Sequence, residues 1–424
     1  VNAADVVRAL QSRRVADWVL TARDQDLAAA DDRGPLHRRE QRTRWTLVVH
    51  DDASNGRGTA RIELAGTTGD AGALVDQAVT LARAAIGTAW RSLPQAAPAR
   101  VVLADPALDV ADLGGAAAAV LHAVPRPADT QVTAGASVLR ERVRVQTKQG
   151  LRTGWTATYA RVAMVVARGD RSLSVTREAR RAAALDLDAA IAGATADLAA
   201  LAAAGAAPVG PCRLVLAADA MLHGGGYGMW SVFAAQADAV VERQGLTRYR
   251  EGMAVAAGAD QVADPLAVTS DGALDHGVRS APVGEDGAAV RRFPIVDRGV
   301  AAGLALSPRE ASLRDRDPNG GVRELMVAAG AHDAGAVDLA AAATDAVELR
   351  RLRSLSIDPY TGEASIEIAL GIDHRGATPR GFAGGTVRLD LIAALARARR
   401  APDVLHRSPY HGPAWLAFAD AEIE

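Results

Sequence analysis

Nine histidines and one cysteine are the side chains of this 424-residue chain best suited to hold a metal: His37, His50, His122, His223, His276, His332, His374, His406, His411 and Cys212. A helical metal site needs two imidazoles about one turn apart, facing one ion, with a carboxylate nearby to activate bound water. No histidine pair has that spacing on a helical segment. His406 and His411 flank Pro409, which predicts a loop. Nucleophilic chemistry has as little support. Ser231, Ser270 and Ser280 are available, but no G-x-S-x-G elbow surrounds any of them. Cys212 lies in the apolar run CRLVLA, where a thiol is inert. His223-Gly224-Gly225-Gly226 resembles the oxyanion-hole run of some esterases, yet no nucleophile elbow follows it. That run can offer backbone instead. Consecutive glycine N–H groups make a nest for a carboxylate and admit another chain at close range.

The elements around the glycine run follow from periodicity. CRLVLAADAML reads as a buried strand entering a helix. Each glycine disfavours helix by about 1 kcal/mol relative to alanine, so 223–228 is expected to be a loop. SVFAAQADAVVERQG has helical spacing, and Gln261–Leu266 reads as a strand. From Asp271 to Ala311, apolar runs alternate with the turns Glu285-Asp286-Gly287 and Asp297-Arg298-Gly299, which are hairpin signals. Asp358-Pro359-Tyr360-Thr361-Gly362-Glu363 is a further turn, followed by IEIALGI and TVRLDLIAALARAR.

The first half has a different grammar. Ala3–Gln11 and Asp70–Ile86 carry helical spacing, and strand-like segments surround turns at Asp31–Gly34 and Asn55-Gly56. The Pro-Ala stretch Leu93–Pro98 ends that unit, and an acidic loop follows at Pro106–Asp112. Val132–Thr147 alternates like a strand pair. ARVAMVVARGDRSLSVTRE reads as two strands about Gly169-Asp170, before an alanine-rich helix over Leu185–Ala203. Hairpin, hairpin, helix thus recurs within 1–205, and residues 204–211 read as a linker. The expected fold is α+β: an N-terminal half of antiparallel hairpins with helices (1–205) and a β-rich C-terminal half (211–424).

A formal net charge of −2 supplies no bulk attraction to nucleic acid. No run of about 18 apolar residues predicts a membrane span, and the first residues lack the apolar core of a signal peptide. One cysteine forms no intrachain disulfide. The expected location is cytoplasmic.

The layout of 271–311 and the DPYTGE turn at 358–363 resembles the TldD/PmbA family, proteins once called modulators of DNA gyrase and understood as peptidases. The similarity in element order extends over nearly the whole chain. The active branch of that family carries an HExxxH helix and a later cysteine as metal ligands. Here the corresponding window is His223-Gly224-Gly225-Gly226-Tyr227-Gly228. Glycine stands for the glutamate at 224 and for the second histidine at 228, and 408–412 contains no cysteine. The resemblance is therefore to the metal-free branch, PmbA or TldE. It implies no cofactor on this chain, and zinc or iron on a TldD-like partner subunit in a heterodimer. It also implies an extended peptide held by main-chain hydrogen bonds, which the partner hydrolyses in proteolysis or peptide maturation. His223, Gly224, Gly225, Gly226, Tyr227 and His276 are the residues expected to edge the peptide channel. The alternative is a homodimer that binds peptides alone or hydrolyses them without a metal.

Overall fold

Long runs of alternating apolar and polar residues give the first half its strands, because successive side chains of a strand face opposite ways. The computed structural model describes residues 2–32, 34–65, 69–91, 97–331 and 342–424. His332, Arg33 of the Asp31–Gly34 turn and most of Leu93–Pro98 lie outside the described residues. Helix α1 (Ala3–Ser12) precedes the meander β1 (Asp17–Asp31), β2 (Gly34–Ala53) and β3 (Gly56–Ala65), and α2 (Ala71–Ala84) with β4 (Ile86–Gly87) follows it. Helix α3 (Leu113–His122) precedes a second meander of β5 (Gln131–Thr147), β6 (Arg152–Arg168) and β7 (Arg171–Ala179), and α4 (Leu187–Ala202) follows it. The two units meet along β1 and β5, which pair antiparallel from Val19–Thr147 to Asp31–Gly135. One seven-stranded sheet results, in the order β4-β3-β2-β1-β5-β6-β7.

Val132–Thr147 is a single strand and not a pair. Gly135, its only glycine, pairs within the ladders to β1 and β6 instead of turning. Each half of the sheet buries one face under its own helices. Val6, Leu10, Leu74 and Val75 pack on Leu20, Trp45 and Leu47. Leu113, Val120, Ile191 and Leu198 pack on Val138, Val162, Met164 and Val175. Each such side chain contributes roughly 1.5–3 kcal/mol by leaving water.

The remaining strands build two further sheets. They are β8 (Gly205–Ala206), β9 (Gly210–Ala217), β10 (Val268–Asp271), β11 (Phe293–Asp297), β12 (Val300–Ala301), β13 (Glu324–Val327) and β14 (Val347–Ile357). After them come β15 (Glu363–Asp373), β16 (Arg380–Ala383), β17 (Thr386–Asp390), β18 (Arg399–Arg400), β19 (Val404–Arg407), β20 (Tyr410–Pro413) and β21 (Trp415–Ile423). Among the described residues they order as β12-β11-β10-β13-β20-β19 and as β14-β9-β21-β17-β15-β16-β8, with β18 on β21. Short helices connect them: α5 (Ala218–Met221), α6 (Ser231–Gln236), α7 (Ala239–Arg243), α8 (Pro308–Leu313) and α9 (Leu391–Arg397). The architecture is α+β with a β-rich second half.

The expected single helix over 231–245 is broken at Asp238, whose carboxylate caps α7 by accepting from the N–H groups of Val240 and Val241. Gln261–Leu266 is not a strand; the first strand there is β10, from Val268. The carbonyls of Asp264 and Pro265 accept instead from the buried guanidinium of Arg400, at 3.0 and 3.4 Å. The Asp297-Arg298-Gly299 turn joins β11 to β12, with Asp297 opposite Val300.

The 358–363 turn has the chemistry its residues suggest. The Asp358 carboxylate accepts from the N–H groups of Tyr360 (2.8 Å) and Thr361 (3.0 Å). Gly362 has φ +78°, and a Cβ there would lie 2.7 Å from Ile392 Cδ1. Gly362→Val is expected to cost about 2 kcal/mol or more, from both φ strain and the clash with α9. Asp358→Asn, which keeps the acceptor oxygen, is expected to be mild. Thermal denaturation of the two variants checks this; an unchanged Tm for Gly362→Val would contradict it.

Candidate functional site: a cavity beside the edge strand β7

Strand β9 carries Cys212 and runs into α5, from which the chain enters the glycine run. Burial pushes the Cys212 thiol pKa up, which keeps it protonated. Gly224, Gly225, Gly226 and Gly228 all take positive φ: +79°, +79°, +59° and +54°. A right-handed α-helix excludes that backbone. The segment is a loop for this reason, and its glycines have a structural basis that the sequence alone did not disclose. At Gly224 and Gly225 the space is open, so φ alone selects glycine.

The loop walls a cavity of about 840 Å³. Across from it lies β7, contributing Leu173 to Glu178. β7 pairs with β6 on one side, and no strand pairs with its other side among the described residues. Val278, Arg279, Ser408 and Pro409 form a third wall.

Two carboxylates, one buried and one partly buried, fix these walls. Glu324, at the start of β13, is 0% exposed. It accepts from the Arg279 N–H at 2.7 Å, from the Ser408 hydroxyl at 2.6 Å, and contacts His411 Nε2 at 3.0 Å. Ser408 Oγ in turn accepts from the Val278 N–H at 2.8 Å. His406 and His411 do not sit on a loop. They face each other across the β19–β20 hairpin, with Nδ1 atoms 3.2 Å apart. Because the Ser408 hydroxyl points to Glu324, no imidazole stands ready to take its proton, and Ser408 lacks the geometry of a nucleophile. The second carboxylate is Asp219 of α5. It meets Arg351 at 2.8 Å, Arg177 at 3.3 Å and Arg407. From the other side of the 278–279 wall, buried Arg180 donates to the carbonyls of Val278 (3.0 Å) and Ser280 (3.1 Å) while its guanidinium lies 4.4 Å from the Tyr159 ring centre.

His223, Gly224, Gly225 and Gly226 line the cavity. Burial holds the His223 pKa below its ordinary value, so the imidazole is neutral at pH 7. Tyr227 and His276 are not among the lining residues. Tyr227 is buried, its hydroxyl donating to the Arg323 carbonyl and its ring 4.2 Å from the Arg279 guanidinium, so it braces the wall from behind. The His276 N–H donates to the Val102 carbonyl at 2.7 Å, away from the cavity. The groups sequence reasoning missed are Asp219, Arg177, Arg351, Arg407, Glu324 and Ser408. No local motif announces them, since they come from elements far apart in the sequence; Asp219 and Arg407 alone are 188 residues apart.

The family metal ligands do not fit this site. His223 is followed by glycines, and among the described residues no group of three or more His, Cys, Asp or Glu could hold an ion.

The fold has solved counterparts. TldE from Thermococcus kodakarensis is 13% identical and superposes with a TM-score of 0.76 over 100% of both chains. A candidate modulator of DNA gyrase from Thermotoga maritima is 13% identical, with a TM-score of 0.75 over 99% of this chain and 98% of the other. One from Bacteroides thetaiotaomicron is 14% identical, with a TM-score of 0.72 over 96% and 94%. No curated protein matches the sequence. Residues 228–416 match the PmbA/TldA metallopeptidase C-terminal domain, which places the chain among metallopeptidase-related proteins. Over residues 228–416 the chain is thus similar to the TldD/PmbA family.

Asp219 gives the site a testable pH dependence. Burial pushes its pKa up, but the charges of Arg351, Arg407 and Arg177 outweigh that and hold the carboxyl below its ordinary value. A carboxyl with a depressed folded pKa stabilises the fold above its unfolded pKa of about 4 and loses that contribution as the pH falls through the folded value. Asp219→Asn is expected to lower Tm at pH 7, and the gap from wild type to narrow below about pH 4. A gap of the same size at both pH values would contradict the assignment.

Proposed function

We propose that this chain is a metal-free, peptide-holding subunit of a TldD/TldE-type protease, and that a partner bearing HExxxH and zinc or iron performs the hydrolysis. One observation carries the reading: the segment that would bear the metal ligands is a four-glycine loop at positive φ, and it opens onto a cavity walled by an unpaired strand edge. A free edge presents N–H and C=O groups at strand spacing, and an extended peptide adds to it through main-chain hydrogen bonds with little demand on sequence. His223, Gly224, Gly225 and Gly226 border that peptide, whose carbonyls and amides they can approach because three of the four lack side chains. The division into an N-terminal unit (1–205) and a C-terminal unit (211–424) gives the cavity its two sides. Among the described residues no helix is long and apolar enough to cross a membrane, which is compatible with a cytoplasmic location.

The test compares the chain alone with the chain beside its partner. Purified alone, it is expected to carry no stoichiometric zinc or iron and to leave peptides intact. Co-expressed with an HExxxH-bearing family member, it is expected to co-purify with that subunit, with metal and peptidase activity in the complex. One tightly held metal per isolated chain, or hydrolysis by the isolated chain as a homodimer, would overturn the proposal in favour of a self-contained enzyme.

A further inference from the structure

The cavity beside β7 carries more guanidinium than carboxylate. Arg161, Arg177, Arg279, Arg351 and Arg407 line it, against Glu178 and Asp219. Three of the five arginines converge on Asp219, and Arg351 also meets the buried Asp197 at 2.6 Å. Even with Asp197 included, five cations face three anions. Arg161 and Arg279 form no ion pair among the described residues, and the buried Nε of Arg177 has no hydrogen-bond partner there. The Arg177 cation is held less favourably than in water, first by burial and then by the charges of Arg407 and Arg351, in spite of Asp219. Grouped, partly desolvated guanidiniums of this kind gain from an added carboxylate, which each can meet with charge-assisted hydrogen bonds.

We propose that the peptide this cavity takes is acidic: a strand laid along β7 that presents a carboxylate to the Arg177–Arg351–Arg407 cluster. This rests on the peptide-holding reading above and adds a substrate class to it. The register supports it. Arg177 belongs to β7 itself, so a strand paired with β7 runs directly past the cluster. The carboxylate comes either from an Asp or Glu side chain or from the C-terminus of the peptide.

Fluorescence anisotropy with the full-length chain tests the idea. The probes are labelled heptapeptides of one Ser/Thr/Ala background with a central Glu-Glu, Gln-Gln or Lys-Lys, each made with a free or an amidated C-terminus. At low salt the Glu-Glu peptides are expected to bind about tenfold or more tightly than the Gln-Gln peptides, and the Lys-Lys peptides least. A preference kept in the amidated set assigns the carboxylate to a side chain; one seen only as free acid over amide assigns it to the terminus. Arg407→Gln, which leaves Asp219 two arginine partners, and Arg161→Gln, which removes an unpaired cation, are each expected to erase much of the preference. Equal binding of Glu-Glu, Gln-Gln and Lys-Lys peptides, acid and amide alike, would overturn the acidic class while leaving strand addition standing. Failure of every peptide to bind would overturn both.

Discussion

One carboxylate ties the three sheets of this protein together. Asp219 stands on α5, directly after β9 of the eight-stranded sheet. Its partners are Arg177 on β7 of the seven-stranded sheet, Arg351 on β14 of the eight-stranded sheet and Arg407 on β19 of the six-stranded sheet. The cost of burying that charge is offset only while the arginines surround it. The cavity sits where they do because it lies at the meeting point of the same elements. Glu324 acts in the same way in the neighbouring layer, joining β13, the 278–279 wall and the 408 hairpin through backbone and side-chain donors.

The site then follows from what these clamps leave open. Most proteins cover, shorten or charge an exposed strand edge, because it invites pairing. Here nine residues of β7 end the sheet, and its exposed face toward the cavity carries Ser174, Thr176 and Glu178. Opposite it, positive φ at four glycines keeps the loop from becoming a helix and from filling the space with side chains. On the proposed reading, this scaffold holds an extended chain along β7, with arginine supplying the electrostatics of the site.

The sequence disclosed what local chemistry determines. The DPYTGE turn, the Arg298-Gly299 hairpin and the Gly169-Asp170 hairpin were legible because proline, glycine and aspartate set φ or cap N–H groups within a few residues. The non-helical character of 223–228 was legible for the same reason, although the cause, φ at four positions, was not. Helix α3 escaped because LGGAAAAVLH has almost no polar face to show a helical period. Asp219, Glu324 and their partners escaped because each is an ordinary charged residue in its own segment. Only the topology brings them together. Tyr227 looked like a channel contact from its place beside the glycines, but its ring turns inward beneath Arg279.

Amide hydrogen exchange on the full-length chain tests the central claim, that β7 receives an extended peptide along its free edge. The account predicts that a saturating peptide slows exchange at alternate amides within residues 171–179, those that face away from β6, and at the glycines of 224–226. Protection elsewhere on the chain with β7 unchanged would contradict it.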